Sequence, residues 1–94
     1  MIVKHNNGYK ENFSLDRLAR SIDKSFIIAK TPHESYLSQI IAKASLDLLK
    51  KHYAEEIPAC AITVHTYNIM NDLGYLNEAK VYQTLPYLKY EEEA

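Results

Sequence analysis

Five basic side chains stand within the first twenty residues of the chain: Lys4, His5, Lys10, Arg17 and Arg20. A phosphate-bearing ligand is commonly held by Lys as a point charge and by Arg as a planar donor fork, so this stretch has the makings of an anion site. Backbone N–H groups at the start of a helix opened by Ser14 would add to it. Other chemistry finds little support. There is no Gly-x-x-x-x-Gly-Lys loop, no nucleophile elbow, no pair of catalytic carboxylates and no Ser/His/Asp arrangement. His5, His33, His52 and His65 lack metal-ligand spacing, and Cys60, the single cysteine, is expected to be a packed thiol near the start of a helix. The chain therefore reads as a binding module and not as an enzyme.

The elements that must position these cations can be read in order. Apolar residues flank Asn6-Asn7-Gly8, and Asn-Gly offers positive φ at low steric cost, which predicts a β-hairpin. A hairpin alone is marginal and must lie against something. Ser14 is a good N-cap and Asp16 suits the positive end of a helix on which Leu15, Leu18, Ile22, Phe26 and Ala29 form one face. Arg17 and Arg20 fall together off that face. Thr31-Pro32-His33-Glu34 predicts a capping box and a second helix to about His52, burying Leu37, Ile40, Ile41, Ala44 and Leu48 and exposing Lys43, Asp47, Lys50 and Lys51.

Residues 53–58 read as a connection in which Pro58 holds Ile57 extended. A third helix over about Ala59–Leu73 carries Ile62, Thr66, Ile69 and Leu73 at helical spacing, with Met70 beside them, and Gly74 closes it in a left-handed conformation. A fourth runs from Leu76 to about Leu85 with Ala79 and Tyr82 inward, Pro86 ending or kinking it. The last residues end in an acidic run. The fold class expected is α+β, mostly α: an N-terminal β-hairpin packed on a bundle of about four helices, in a single domain over residues 1–94.

Composition sets the outer bounds. Of 94 residues, 47% are hydrophobic and 24% charged, an ordinary globular balance with enough chain for one modest core. No apolar run approaches the roughly 20 residues that span a bilayer and no signal sequence is evident, so the expectation is a cytoplasmic protein with no membrane partner. The net charge of −1 argues against direct DNA binding. Its distribution is uneven, because residues 1–30 hold six cations against three acids. Eight tyrosines and no tryptophan suit half-buried positions at an interface or at the rim of a core.

Val3-Lys4-His5-Asn6-Asn7-Gly8, with Glu11, Phe13, Leu15 and Arg17, resembles the opening of the ATP-cone domain: a Val-x-Lys-Arg-Asp-Gly hairpin, then Glu, an apolar residue, and Lys or Arg on the first helix. Ile62, Met70, Leu73-Gly74-Tyr75, Ala79 and Tyr82 are similar to the same family's third and fourth helices, so the resemblance covers nearly the whole chain. It implies a regulatory module, found mainly in ribonucleotide reductases and their transcriptional repressor, that binds ATP or dATP, with Mg2+ an optional companion, and switches activity through subunit association. The implied contacts are Lys4 and Arg17 on the phosphates, His5 in place of the family's arginine, Glu11 near the base or ribose, and Ser14 and Arg20 along the cleft. Implied partners are the nucleotide and, through helix surfaces, the module's own chain or a reductase subunit. Several positions depart from the pattern: the turn is one residue longer, Thr63 and Ala59 replace polar relatives, and Leu85-Pro86 stands where Tyr-Arg is usual. The second expectation is therefore a degenerate cone, without ligand, acting as a protein-interaction or dimerisation module.

Overall fold

A computed structural model describes residues 1–85. The hairpin forms as expected, from β1 (Ile2–Lys4) and β2 (Lys10–Asn12), antiparallel with Ile2 opposite Asn12, Val3 opposite Glu11 and Lys4 opposite Lys10. Its turn differs from a two-residue Asn-Gly loop. The Gly8 N–H bonds the His5 carbonyl, Gly8 alone takes a left-handed φ of 89°, and the His5 N–H returns to the Tyr9 carbonyl. That is a three-residue loop with the glycine as the bulge residue. The Asn7 side chain caps it by accepting from the Tyr9 N–H at 3.0 Å.

The described helices are α1 (Leu15–Ile28), α2 (Ser35–His52), α3 (Ala59–Asp72) and α4 (Leu76–Gln83). Each packs on the next and α4 returns to α1, so the four close a ring. Between α2 and α3 the chain makes β3 (Glu56–Pro58), parallel to β1 and completing a sheet of order β2-β1-β3. From sequence this stretch is expected to be a plain connection. Ile57 is extended as expected, but three residues are too few for an alternating pattern to announce a strand, and Ile57 is the one that reaches the core.

One cluster of buried side chains holds sheet and helices together: Val3 and Ile57 from the sheet, Leu18, Ile22 and Phe26 from α1, Ile41 and Leu49 from α2, Ile62 and Met70 from α3, Ala79 and Tyr82 from α4. Three expectations need correction here. The buried face of α2 is Ser38, Ile41, Ala42, Ser45 and Leu49, about one residue round from the expected stripe, leaving Ile40 and Ala44 exposed. Serines hold inward positions because their hydroxyls find partners there: Ser45 accepts from Thr66 of α3 at 3.0 Å, and Ser25 of α1 donates to its own helix at 2.6 Å. On α3, Leu73 is exposed while Met70 is buried, and Cys60 is exposed because Ala59, Ala61 and Ile62 take the inward places around it.

The third correction concerns the entry to α2. Thr31 is not its cap: Glu34 is the N-cap residue, extended and without a side-chain bond, and 31–34 form no regular structure ahead of the helix. Thr31 instead completes the end of α1, its N–H reaching the Phe26 carbonyl while the Lys30 N–H reaches that of Ile27. This six-to-one and five-to-two pattern needs a left-handed residue at Lys30, whose φ is 58°. A lysine there is strained by about 1 kcal/mol or more, only partly offset by the entropy a glycine would lose on folding. Lys30→Gly is expected to stabilise the protein by about 0.5 kcal/mol, raising the thermal midpoint by a few degrees; an unchanged or lower midpoint contradicts it. Gly74 does the same at the end of α3, with φ 92° and Tyr75 N–H bonded to the Met70 carbonyl, as the sequence led one to expect. Pro86, Tyr87, Tyr90 and the acidic end lie outside the described residues.

Candidate functional site

Strand alternation decides which N-terminal side chains can meet. Val3 points to the core, so His5, two residues on, turns inward as well and is 3% exposed. Glu11 lies opposite Val3 and therefore on the same inner face. A two-residue loop would have set Glu11 opposite Lys4; the extra loop residue shifts the register by one and turns the carboxylate over.

Glu11 then joins two of the cations. His5 Nε2 donates to Glu11 Oε2 at 2.5 Å, and Arg17 Nη1, one turn into α1, donates to Glu11 Oε1 at 2.6 Å. The three side chains are largely enclosed, at 2%, 15% and 24% exposure for His5, Glu11 and Arg17. Burial alone would push the Glu11 carboxyl up; hydrogen bonds from Arg17 and then His5, with their charges, overcome it and hold the group below the usual carboxylate range. Ser14 caps the same helix end, its Oγ accepting from the Arg17 N–H at 3.2 Å. The Nδ1 of His5 is buried with no hydrogen-bond partner. Four of the six residues singled out in the sequence thus assemble at the junction of hairpin and α1.

The other two do not join them. Lys4 leaves β1 on the opposite, solvent face of the sheet, beside Lys10, whose ammonium bonds Glu56 at 2.7 Å. The Lys10 hydrogen bond and charge hold the Glu56 carboxyl low, and Lys4 adds to the same effect. Arg20 is 71% exposed and paired with Asp16 at 3.2 Å. It lines a cleft of about 190 Å³ between α1 and the first turns of α2, together with Asp16, Asp23, Ser35 and Ser38. Lys4 and the Glu11–Arg17 pair therefore lie on opposite faces of the ribbon, whereas the anion site expected from the sequence needs Lys4 beside Arg17 and Arg20.

A feature not found from sequence is the role of Glu11 as the acid that neutralises the cluster. Its signal was the strand register, fixed only by the loop type. Among the described residues no group of three or more His, Cys, Asp or Glu side chains gathers as a metal site. His52 and His65 do stack, with ring centroids 5.4 Å apart. No described helix is long and apolar enough to cross a membrane. Comparison of the chain with protein-family models, curated proteins and solved structures finds no match.

Proposed function

We propose that this chain is a regulatory nucleotide-binding module of the ATP-cone kind, which takes ATP or dATP where the hairpin meets the start of α1. The observation that supports it is the largely enclosed His5–Glu11–Arg17 cluster beside the Ser14-capped helix end. Arg17 and His5 are already ordered by a carboxylate, so a phosphate can take over as their anion without the cost of gathering them. In this reading Glu11, displaced from Arg17, is free to accept from sugar hydroxyls. The module itself is no enzyme, and it controls a partner by favouring different association states with the two nucleotides. A reductase subunit or a second copy of the chain, in the cytoplasm, is the partner that the resemblance implies.

Calorimetry with ATP and dATP tests it. Binding heat is expected for at least one nucleotide at submillimolar to millimolar concentration, with Lys4→Ala close to wild type because Lys4 lies on the far face of the sheet. No heat with either nucleotide rejects the reading. Full loss with Lys4→Ala moves the phosphates to the outer face.

One observation favours the second reading, a cone that has lost its ligand and serves in protein association. Glu11 already occupies Arg17 and Asp16 already occupies Arg20, while Tyr36, Ile40, Leu73 and Leu76 are each more than half exposed. Light scattering separates the two: dimers that form regardless of nucleotide support it, and a monomer indifferent to nucleotide and partner counts against it.

A further inference from the structure

The connection between α1 and α2 is held by one imidazole. His33 Nδ1 lies 3.1 Å from the Thr31 carbonyl oxygen and Nε2 lies 2.6 Å from Asp23 Oδ1. A carbonyl and a carboxylate can only accept, so both ring nitrogens must donate, and only the imidazolium carries two N–H groups. The side chain is 11% exposed and its ring lies 4.8 Å from that of Phe26, which in turn meets Tyr75 edge-on at 5.0 Å. Around it the same two residues reach other elements. Asp23 Oδ1 also accepts from Ser38 Oγ of α2 at 3.1 Å, and the Thr31 hydroxyl donates to Glu78 of α4.

We propose that His33 is a proton-operated latch: as imidazolium it ties the α1–α2 connection to α1 and, through Thr31, to α4, and loss of its proton releases the connection. Deprotonation leaves one ring nitrogen facing an acceptor with nothing to donate, so one of the two bonds must break. Asp23, one of the two acceptors that hold the ring, also lines the cleft that holds Arg20, together with Ser38, which donates to it, so the latch borders that cleft.

The charged surroundings set the direction. Asp23 faces the ring from α1, Glu34 adjoins it at the head of α2, and Glu78 of α4 reaches Thr31, while the neutral Ser38 of α2 donates to Asp23. Arg20, in the adjoining cleft, is held by Asp16. The positive pole of α2 lies within a turn of His33 and opposes the imidazolium, against the Asp23 carboxylate bonded directly to the ring. The Asp23 hydrogen bond, opposed by burial and aided by the Thr31 carbonyl, raises the His33 pKa above its ordinary value. A raised folded-state pKa gives stability that is complete below the unfolded value of about 6.5 and is lost as pH rises through the folded one.

The test uses the full chain, following each imidazole by NMR and the urea midpoint between about pH 5 and pH 8, where histidine changes charge. His33 is expected to carry both ring protons at pH 6.5 and to titrate above free histidine in the wild type, and to titrate lower in Asp23→Asn. The midpoint is expected to fall with rising pH more steeply in the wild type than in His33→Gln, the difference isolating this residue from His5, His52 and His65. A His33 titration at or below that of free histidine, or identical pH courses for wild type and His33→Gln, overturns the latch. Should His33→Gln fail to fold, the ring titrations in wild type and Asp23→Asn decide alone.

Discussion

Phe26→Ala is expected to bring a large fall in the urea midpoint. The ring is fully buried, and it touches His33 on one side and Tyr75 on the other, so its loss opens a cavity where α1, the α1–α2 connection and the start of α4 meet. Truncating a buried phenylalanine costs about 3–5 kcal/mol. A chain of this length has about 5–14 kcal/mol in total, so the substitution removes about a fifth of it or more. Phe26→Leu keeps most of the volume and should cost about 1–2 kcal/mol, and much of its excess over a simple volume change would reflect the lost ring contacts. Urea unfolding of the two variants checks this. A Phe26→Ala midpoint within experimental error of the wild type would mean that the ring is not in the core.

Arg17→Ala should show the second-largest effect, and it reads out two properties at once. It leaves the enclosed Glu11 carboxylate with His5 as its remaining partner. Breaking a buried pair from one side costs about 3–5 kcal/mol, and with Arg17 and Glu11 partly open to water about 2–3 kcal/mol is expected here. Under the proposed function the same change removes a charge-assisted contact to phosphate, worth about 1.5–3 kcal/mol, or roughly ten- to hundredfold in affinity. Arg17→Lys separates the two terms by keeping the charge and losing the fork. Urea unfolding follows the first and calorimetry the second. Weakened nucleotide binding with unchanged stability would place Arg17 on a ligand and not on Glu11; unchanged binding in both variants would count against phosphate contact at this residue.

Much of this architecture could be read from single residues whose chemistry acts locally. Ser14 caps α1, Gly74 ends α3 in a left-handed conformation, and Ala79 and Tyr82 face inward on α4, each as its type and spacing predict. What escaped depended on partners distant in sequence. Thr31-Pro32-His33-Glu34 has every residue of a capping box, yet Thr31 is drawn to Glu78 of α4 and His33 to Asp23, and tertiary hydrogen bonds outweighed the local motif. On α2 the apolar count favoured Ile40 and Ala44, but Ser38 and Ser45 are small, let neighbours come close, and find partners for their hydroxyls, so a hydrophobicity pattern pointed one residue away. In the candidate site the cations were legible as a group. Their division between two faces of a ribbon was not, because a single loop residue sets whether Glu11 opposes Val3 or Lys4.

The central strand of the sheet comes first in the chain. Residues 2–4 pair with 10–12 across a short loop, but with 56–58 only after α1 and α2 have been made, and the Ile2 N–H must wait for the Glu55 carbonyl. Residues 56–58 must therefore emerge from the ribosome before β1 can be flanked on both sides, and during that interval only a marginal ribbon shelters Val3 from water. Such a long-range closure raises the mean sequence separation of native contacts and slows the final step of folding. Until then, the unpaired side of the opening strand is an open edge to which another nascent chain can add.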